Sequence, residues 1–431
     1  MSPAARLDPF NAFLFRPPQE DGIPVDGPLA GMSVAVKDNI HVKDMPMTCG
    51  SRILSGYTAP YDATVVARLR TAGAVIAGKT NLDEFGFGSS GEHSAYGPTD
   101  NPLAADRVPG GSSSGSAAAV AAGMVPAALG SDTGGSVRQP AAFCGLVGFC
   151  PSWGTLSRYG LTAFASSLDR IGILASDVST VLELFTAMSG PDPLDATCTG
   201  IDLKRDIEPV GGPGNLTVGI DASWNSLSEP DVTEQVELAM ETLRFMGAAV
   251  RPVMLPDPRD ALAVYHVVAA SEASSNLQRF DGLRFGPRHS SIGEARARGF
   301  GREAKRRILM GAWCLSAGYG DSHYRAAIRG RSMIRTRMAE LFGSVDLVLT
   351  PTTPTGAFRF GEHQRPSSMY QSDLFTVTAS LAGIPAISLP VGMNGDGLPV
   401  GIQLMAGRFN EMMLLDVAKR LQRKWKQEGD G

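Results

Sequence analysis

RVPGGSSSGSAAAVAAGMVPAALGSDTGGSVRQP, spanning Arg107 to Pro140, sets two glycine–serine loops on either side of an alanine-rich helix and a short apolar segment. Glycines let each loop turn tightly and approach a ligand. Each loop also places serine hydroxyls at or near a helix start, where backbone N–H groups lack partners. A nucleophile and a place for developing negative charge therefore share one stretch. GGSSSGS on its own has the composition of a flexible linker. Lying beside apolar runs and leading straight into AAAVAAG, it reads as a built loop. It approaches a phosphate loop, with Gly110 and Gly115 at the right separation, but Ser116 stands where the lysine belongs. GFGSSG (86–91) has the spacing of a dinucleotide fingerprint, yet EHSAYGPTDNP follows as a loop and not as the helix such a fingerprint opens.

Toward the N-terminus, Met32 to Val42 is apolar on both sides of Lys37 and reads as a buried strand. Asp62 is placed to cap a helix through Ala72, with Gly73 past its end and AVIAG (74–78) as the next strand. This strand–helix–strand rhythm favours parallel pairing. A lysine buried in such a strand loses its charge readily, because desolvation lowers its pKa, and then serves as a general base. The competing reading pairs Lys37 with Asp38 or extends it to the surface. The six histidines form no HExxH pair and the carboxylates are scattered, so neither a zinc protease nor a Ser–His–Asp machine is indicated.

Toward the C-terminus, Val137 to Cys144 reads as a short helix ended by Gly145. LTVGI (216–220) is a strand. Asp231 with Glu234 caps a helix whose Val232, Val236, Ala239 and Leu243 form an apolar stripe stopped by Gly247. Residues 259–345 are helix-dominated and basic. DLVLTPTTP (346–354) and PAISLPVGM (385–393) return to strand–loop chemistry, and Met412 to Trp425 is a closing amphipathic helix. With 50 Gly, 29 Pro and 43% hydrophobic residues, the 431-residue chain fits an α/β protein of many short elements. Net charge is −4, which provides no overall field for nucleic acid or acidic lipid. Five scattered cysteines without a CxxC pair fit a reducing compartment, cytosolic or an organelle matrix (mitochondrial or plastid), better than a disulfide framework or a zinc site. Neither a signal peptide nor a membrane span is read.

VAVKDNI around Lys37, GGSSSGSAAAVAAG and GSDTGGSVRQPAAFCG together resemble the amidase signature family. That resemblance implies an α/β fold in one large domain, a mixed β-sheet sandwiched between helix layers, over residues 31–431. Residues 1–30 are then an N-terminal arm and 200–345 a helix-rich elaboration. Carried over residue by residue, it implies Ser136 as nucleophile, Ser112 as bridging serine after a cis peptide, and Lys37 as base. Thr133, Gly134 and Gly135 become the oxyanion hole.

Within the family, GKTNLDEFGFGSS, SRYGLTAFASSLDRIG, GFGREAKRRILMGAWCLSAGYGDSHY, MYQSDLFTV and LAGIPAISLPVG are similar to the glutaminase components of tRNA-dependent amidotransferases. This similarity implies glutamine as substrate, with Arg307 on its α-carboxylate, Asp373 on its α-ammonium and Tyr265 beside them. It also implies B and C partner subunits (or a C-like small subunit). tRNA contact lies mostly on the B subunit. No metal or cofactor is expected in this chain; ATP and magnesium belong to the partner. The alternatives are a stand-alone amidase acting on a small carboxamide and a non-catalytic scaffold subunit; the intact Lys37, Ser112 and Ser136 argue against the latter. In departures from the family pattern, Ser114 replaces a common glycine, and Gly91 and His93 replace the usual Thr and Asn.

Overall fold

Alternating side chains along successive strands sort the core into two faces. Val34 and Val36, Ala127 and Leu129, and Leu347 and Leu349 pack on one face; Ala35, Ala128 and Val348, between them, pack on the other. The computed structural model describes residues 8–18, 26–200, 216–363 and 365–429. Among them lie eleven strands: β1 (Phe13–Phe15), β2 (Ser33–Lys37), β3 (Val75–Thr80), β4 (Ala127–Asp132), β5 (Val147–Cys150), β6 (Arg170–Ala175), β7 (Thr217–Ile220), β8 (Ala249–Pro252), β9 (Leu347–Pro351), β10 (Ala386–Met393) and β11 (Pro399–Ala406). They form one sheet in the order β1-β3-β2-β4-β6-β5-β10-β11-β9-β7-β8. β2 pairs in parallel with β3 and β4, and β7 with β8 and β9, while the remaining pairs are antiparallel. The sheet is therefore mixed, as expected.

Helices cover both faces. The thirteen among the described residues are α1 (Thr64–Thr71), α2 (Ser114–Ala121), α3 (Arg138–Phe143), α4 (Val178–Met188), α5 (Ala222–Asn225), α6 (Pro230–Phe245), α7 (Pro258–Asn276), α8 (Ile292–Gly299), α9 (Arg302–Leu315), α10 (Arg325–Leu341), α11 (Pro366–Met369), α12 (Val377–Ala382) and α13 (Glu411–Gly429). α1, α4, α6 and α13 pack on the face of Val34 and Val36. α2, α3, α7, α10 and α12 cover the opposite one. α2 is built of small residues buried from Ser114 to Val120, so it lies close against the sheet. Among the described residues no helix is long and apolar enough to cross a membrane.

Local readings differ from the structure in three places. Asp62 does not cap α1: Ala63 occupies the cap, and Asp62 accepts from the Lys43 amide at 2.7 Å. α6 starts one residue before Asp231, with Glu229 at the cap and Pro230 in the first turn, where its missing N–H costs nothing. The strand expected from Met32 to Val42 ends at Lys37, because the chain turns there and the Ile40 amide closes back on the Lys37 carbonyl at 2.9 Å. Of the arm, Phe13–Phe15 join the sheet as β1, and residues 1–7 and 19–25 lie outside the described residues. Residues 216–252 within the expected helix-rich span contribute β7 and β8 to the same sheet; residues 201–215 lie outside the described residues.

Candidate active site

Lys37 is the last residue of β2 and faces the side covered by α2 and α3. It is wholly buried, and its Nζ donates to Ser112 Oγ at 2.8 Å, Ser113 Oγ at 2.9 Å and the Ser131 carbonyl at 3.3 Å. Burial pulls the ammonium down to about 7, against the pull of Asp83, Asp132 and Asp169. Asp38 is not its partner, for Asp38 pairs with Lys79 at 3.1 Å.

Ser112 follows a cis Gly111–Ser112 peptide. Several contacts hold that loop. The Gly111 amide donates to Gln139 Oε1 at 2.9 Å, and the Asp83 amide donates to the Ser112 carbonyl at 3.2 Å. A Cβ on Gly111 would lie 2.1 Å from Asp83 Oδ2, so only glycine fits between the loop and that carboxylate. Gly91 and Ser114, two departures from the family pattern, face each other: a Cβ at Gly91 would meet Ser114 Cβ at 2.7 Å. Ser114 thus occupies the space that a side chain at position 91 would need.

Ser136 ends the second loop, just before α3. The Ser113 amide donates to its carbonyl at 3.2 Å, which joins the two loops. Its hydroxyl makes no hydrogen bond among the described residues, so Lys37 and Ser112 touch while Ser136 stands beside them unengaged. No acceptor within the described residues takes the amides of Thr133, Gly134, Gly135 or Ser136. Four unpaired donors beside a free hydroxyl are what an oxyanion demands. Thr133 Oγ1 donates to Asp169 Oδ1 at 2.7 Å, and Thr376 Oγ1 donates to the Gly134 carbonyl at 2.6 Å. These bonds fix the loop from both ends.

Two of the expected substrate residues, Tyr265 and Asp373, lie around Gly134. A Cβ there would lie 2.6 Å from Tyr265 Oη, so Tyr265 of α7 packs directly on the loop. Asp373 is buried one turn before Thr376, whose amide donates to the Asp373 carbonyl at 3.1 Å. Its Oδ2 accepts from Ser89 Oγ at 2.6 Å, while Oδ1 has no partner among the described residues. Burial pushes this carboxyl up to about 7, with Ser89 and Arg307 opposing.

Arg307, on α9, donates from Nε to Glu303 Oε1 at 2.8 Å and contacts His266 Nδ1 from Nη1 at 3.2 Å. Its guanidinium lies over the Tyr370 ring, 4.5 Å from the centroid. Burial, then Arg307 and Arg306, push His266 well below its ordinary value. A neutral imidazole in that position accepts from the arginine and leaves Nε2 as the donor.

Ser113, Asp83, Gln139, Ser89, Glu303, His266 and Tyr370 were not singled out in the sequence. A signal existed for Glu303, which stands four residues before Arg307 on a helix. The others are joined only by the fold. No group of three or more His, Cys, Asp and Glu side chains among the described residues is arranged to hold a metal.

A family model described as Amidase matches residues 20–415. The A subunit of glutamyl-tRNA(Gln) amidotransferase from Methanospirillum hungatei is 49% identical over 401 residues, covering 91% of this chain and 92% of that protein. The crystal structure of the corresponding A subunit from Thermotoga maritima superposes with a TM-score of 0.80 at 43% identity, covering 93% of this chain and 84% of that one. A 6-aminohexanoate cyclic dimer hydrolase, solved with substrate, gives a TM-score of 0.81 at 27% identity over 96% of this chain and 89% of that one. Matched by the family model along almost its whole length and identical to such a relative at half of the aligned positions, this chain belongs to the amidase family.

Proposed function

We propose that the chain is the glutamine-hydrolysing subunit of a tRNA-dependent amidotransferase. The observation that carries this reading is a buried Lys37 bonded to Ser112, with Tyr265 packed on the neighbouring Gly134 loop and a buried Arg307 near enough to Tyr265 and Asp373 to act on both electrostatically. Neutral Lys37 takes a proton through Ser112 as Ser136 attacks the side-chain carboxamide. The carbonyl oxygen becomes an oxyanion among the amides of Thr133 to Ser136, where one lost donor costs about 3 to 4 kcal/mol of barrier lowering. Collapse gives an acyl-enzyme and ammonia, and water then releases glutamate. Arg307 offers a charged fork to the α-carboxylate. The unpaired Oδ1 of Asp373 accepts from the α-ammonium, whose charge draws the carboxyl back to its ionised form.

The ammonia passes to a B subunit that amidates Glu-tRNA(Gln) or Asp-tRNA(Asn), with a C or C-like subunit completing the assembly. ATP, magnesium and most tRNA contact belong to the B subunit, and this chain uses no cofactor of its own. Five free cysteines suit the cytosol or an organelle matrix. The alternative of a stand-alone amidase is weaker. The two solved relatives match the fold equally, yet identity to the amidotransferase component is 43% against 27% to the hydrolase.

Glutamine turnover by the full chain, with and without B and C subunits, tests the reading; turnover of simple aliphatic amides but not of glutamine overturns it. Ser136→Ala abolishes acyl-enzyme formation, and retained hydrolysis assigns the nucleophile elsewhere. Arg307→Leu raises KM for glutamine by about 10- to 100-fold, with little effect on amides that lack an α-carboxylate.

A further inference from the structure

Glu84 takes no part in the chemistry above, yet it is 2% exposed and has no ion-pair partner among the described residues. A carboxylate removed from water needs compensating bonds. It sits in the tight turn Glu84–Gly86 beside Phe85, whose φ is +53°. One side of this turn walls the relay serine. The Asp83 amide holds the Ser112 carbonyl, and Gly86 faces Ser112 Oγ so closely that a Cβ there would be 3.5 Å away.

The other side reaches α9. The Gly301 amide donates to Glu84 Oε2 at 2.8 Å and Oε1 at 3.0 Å, and Ser51 Oγ donates to Oε1. Gly301 is the N-cap residue of α9 and has no side chain with which to cap it. Glu84, 217 residues earlier in the chain, accepts from the amide of the cap residue itself, one of the donors a helix start leaves without a partner, while burial pushes its carboxyl up to about 7. A Cβ on Gly301 would lie 2.5 Å from Glu84 Oε2, so the backbone and the carboxylate are fitted to each other. α9 then carries Glu303 and Arg307 within its first two turns.

We propose that Glu84 is a positioning residue: by capping α9 from the turn that walls Ser112, it sets the placement of Arg307 relative to the reacting serine and thereby selects amides that carry an α-carboxylate. The same stretch of chain, through Ser89, also holds Asp373. Both substrate contacts are thus referred to the relay loop through residues 83–89. This inference rests on the reading of Arg307 as the carboxylate-binding residue.

The test compares glutamine with 4-aminobutanamide, which is glutamine without its α-carboxylate, on the full chain. Glu84→Ala raises KM for glutamine about tenfold while kcat/KM for 4-aminobutanamide falls by no more than about threefold. Gly301→Ala presses on the same contact from the helix side and gives the same split, which keeps the inference testable if Glu84→Ala fails to fold. Added to Arg307→Leu, Glu84→Ala changes KM for glutamine less than about twofold further, because the residue it positions is already gone. Equal losses on both amides, or KM increases that add in the Arg307→Leu background, overturn the inference and leave the Arg307 reading standing. An Arg307→Leu enzyme without a selective effect on glutamine overturns the Arg307 reading, and this inference with it.

Discussion

Lys37 shows how burial prepares a common residue to serve as a base. Removed from water and given only hydroxyls and a carbonyl to bond, it titrates near 7. Above that value it is neutral and able to take a proton; below it, the proton is already there. The kcat for glutamine at saturation therefore rises with pH through about 7 and levels off above. A kcat that stays flat between about pH 5.5 and about 8.5 would remove Lys37 as the base. Saturating substrate matters here, because free Asp373 also titrates near 7 and would enter kcat/KM. Lys37 was legible because it is the single lysine in a largely apolar run. Lys79 is just as buried, but it balances Asp38 and bonds the Ile40 carbonyl at 2.7 Å, and nothing local in VIAGKT distinguishes its structural role. His266 was illegible for a related reason: its partner Arg307 comes from another helix.

At the scale of elements, the two serine loops are shaped by what lies under them. Gly91 has a φ of +83° and no room for a side chain beside Ser114. Gly91→Thr lowers stability by about 1 to 3 kcal/mol in urea unfolding, and Ser114→Gly in the same chain restores part of it. A double variant no more stable than Gly91→Thr would mean that the two positions are independent. The helix–strand unit β2–α1–β3 was readable because its periodicity changes cleanly between elements and Gly73, at φ +93°, stops the helix. β6 was not read as a strand: it follows a polar turn and opens with Arg170, which is buried only because the Pro151 and Ile384 carbonyls and Ser380 Oγ receive its guanidinium. β11 was hidden by its flanking glycines, although all eight of its residues are buried.

The whole molecule is held across the middle of the sheet by a buried polar network. Arg138 and Asp132 are fully buried and paired at 2.9 Å; the same guanidinium donates to Gln403 of β11, to the Thr376 carbonyl and to Ser380 of α12. Burial pushes Asp132 up, yet Arg138 holds it below the usual carboxylate range. Arg138→Met leaves Asp132 uncompensated and costs about 3 to 5 kcal/mol in urea unfolding; a loss under about 1 kcal/mol would make the network incidental. The α/β class followed from composition and rhythm and the mixed, two-faced layering from the family resemblance, whereas the order of strands followed from neither, because β5 and β10 meet across 235 residues or more and only tertiary packing decides that register. The sheet is open, with β1 and β8 at its margins. β1 has three residues; β8 has four, exposes Arg251 and ends at Pro252, which lacks an N–H to offer. Bare strand margins recruit strands from neighbouring molecules, and short, charged or proline-ended ones discourage it. An eleven-stranded sheet finished in this way resists edge-to-edge aggregation at high protein concentration without closing into a barrel.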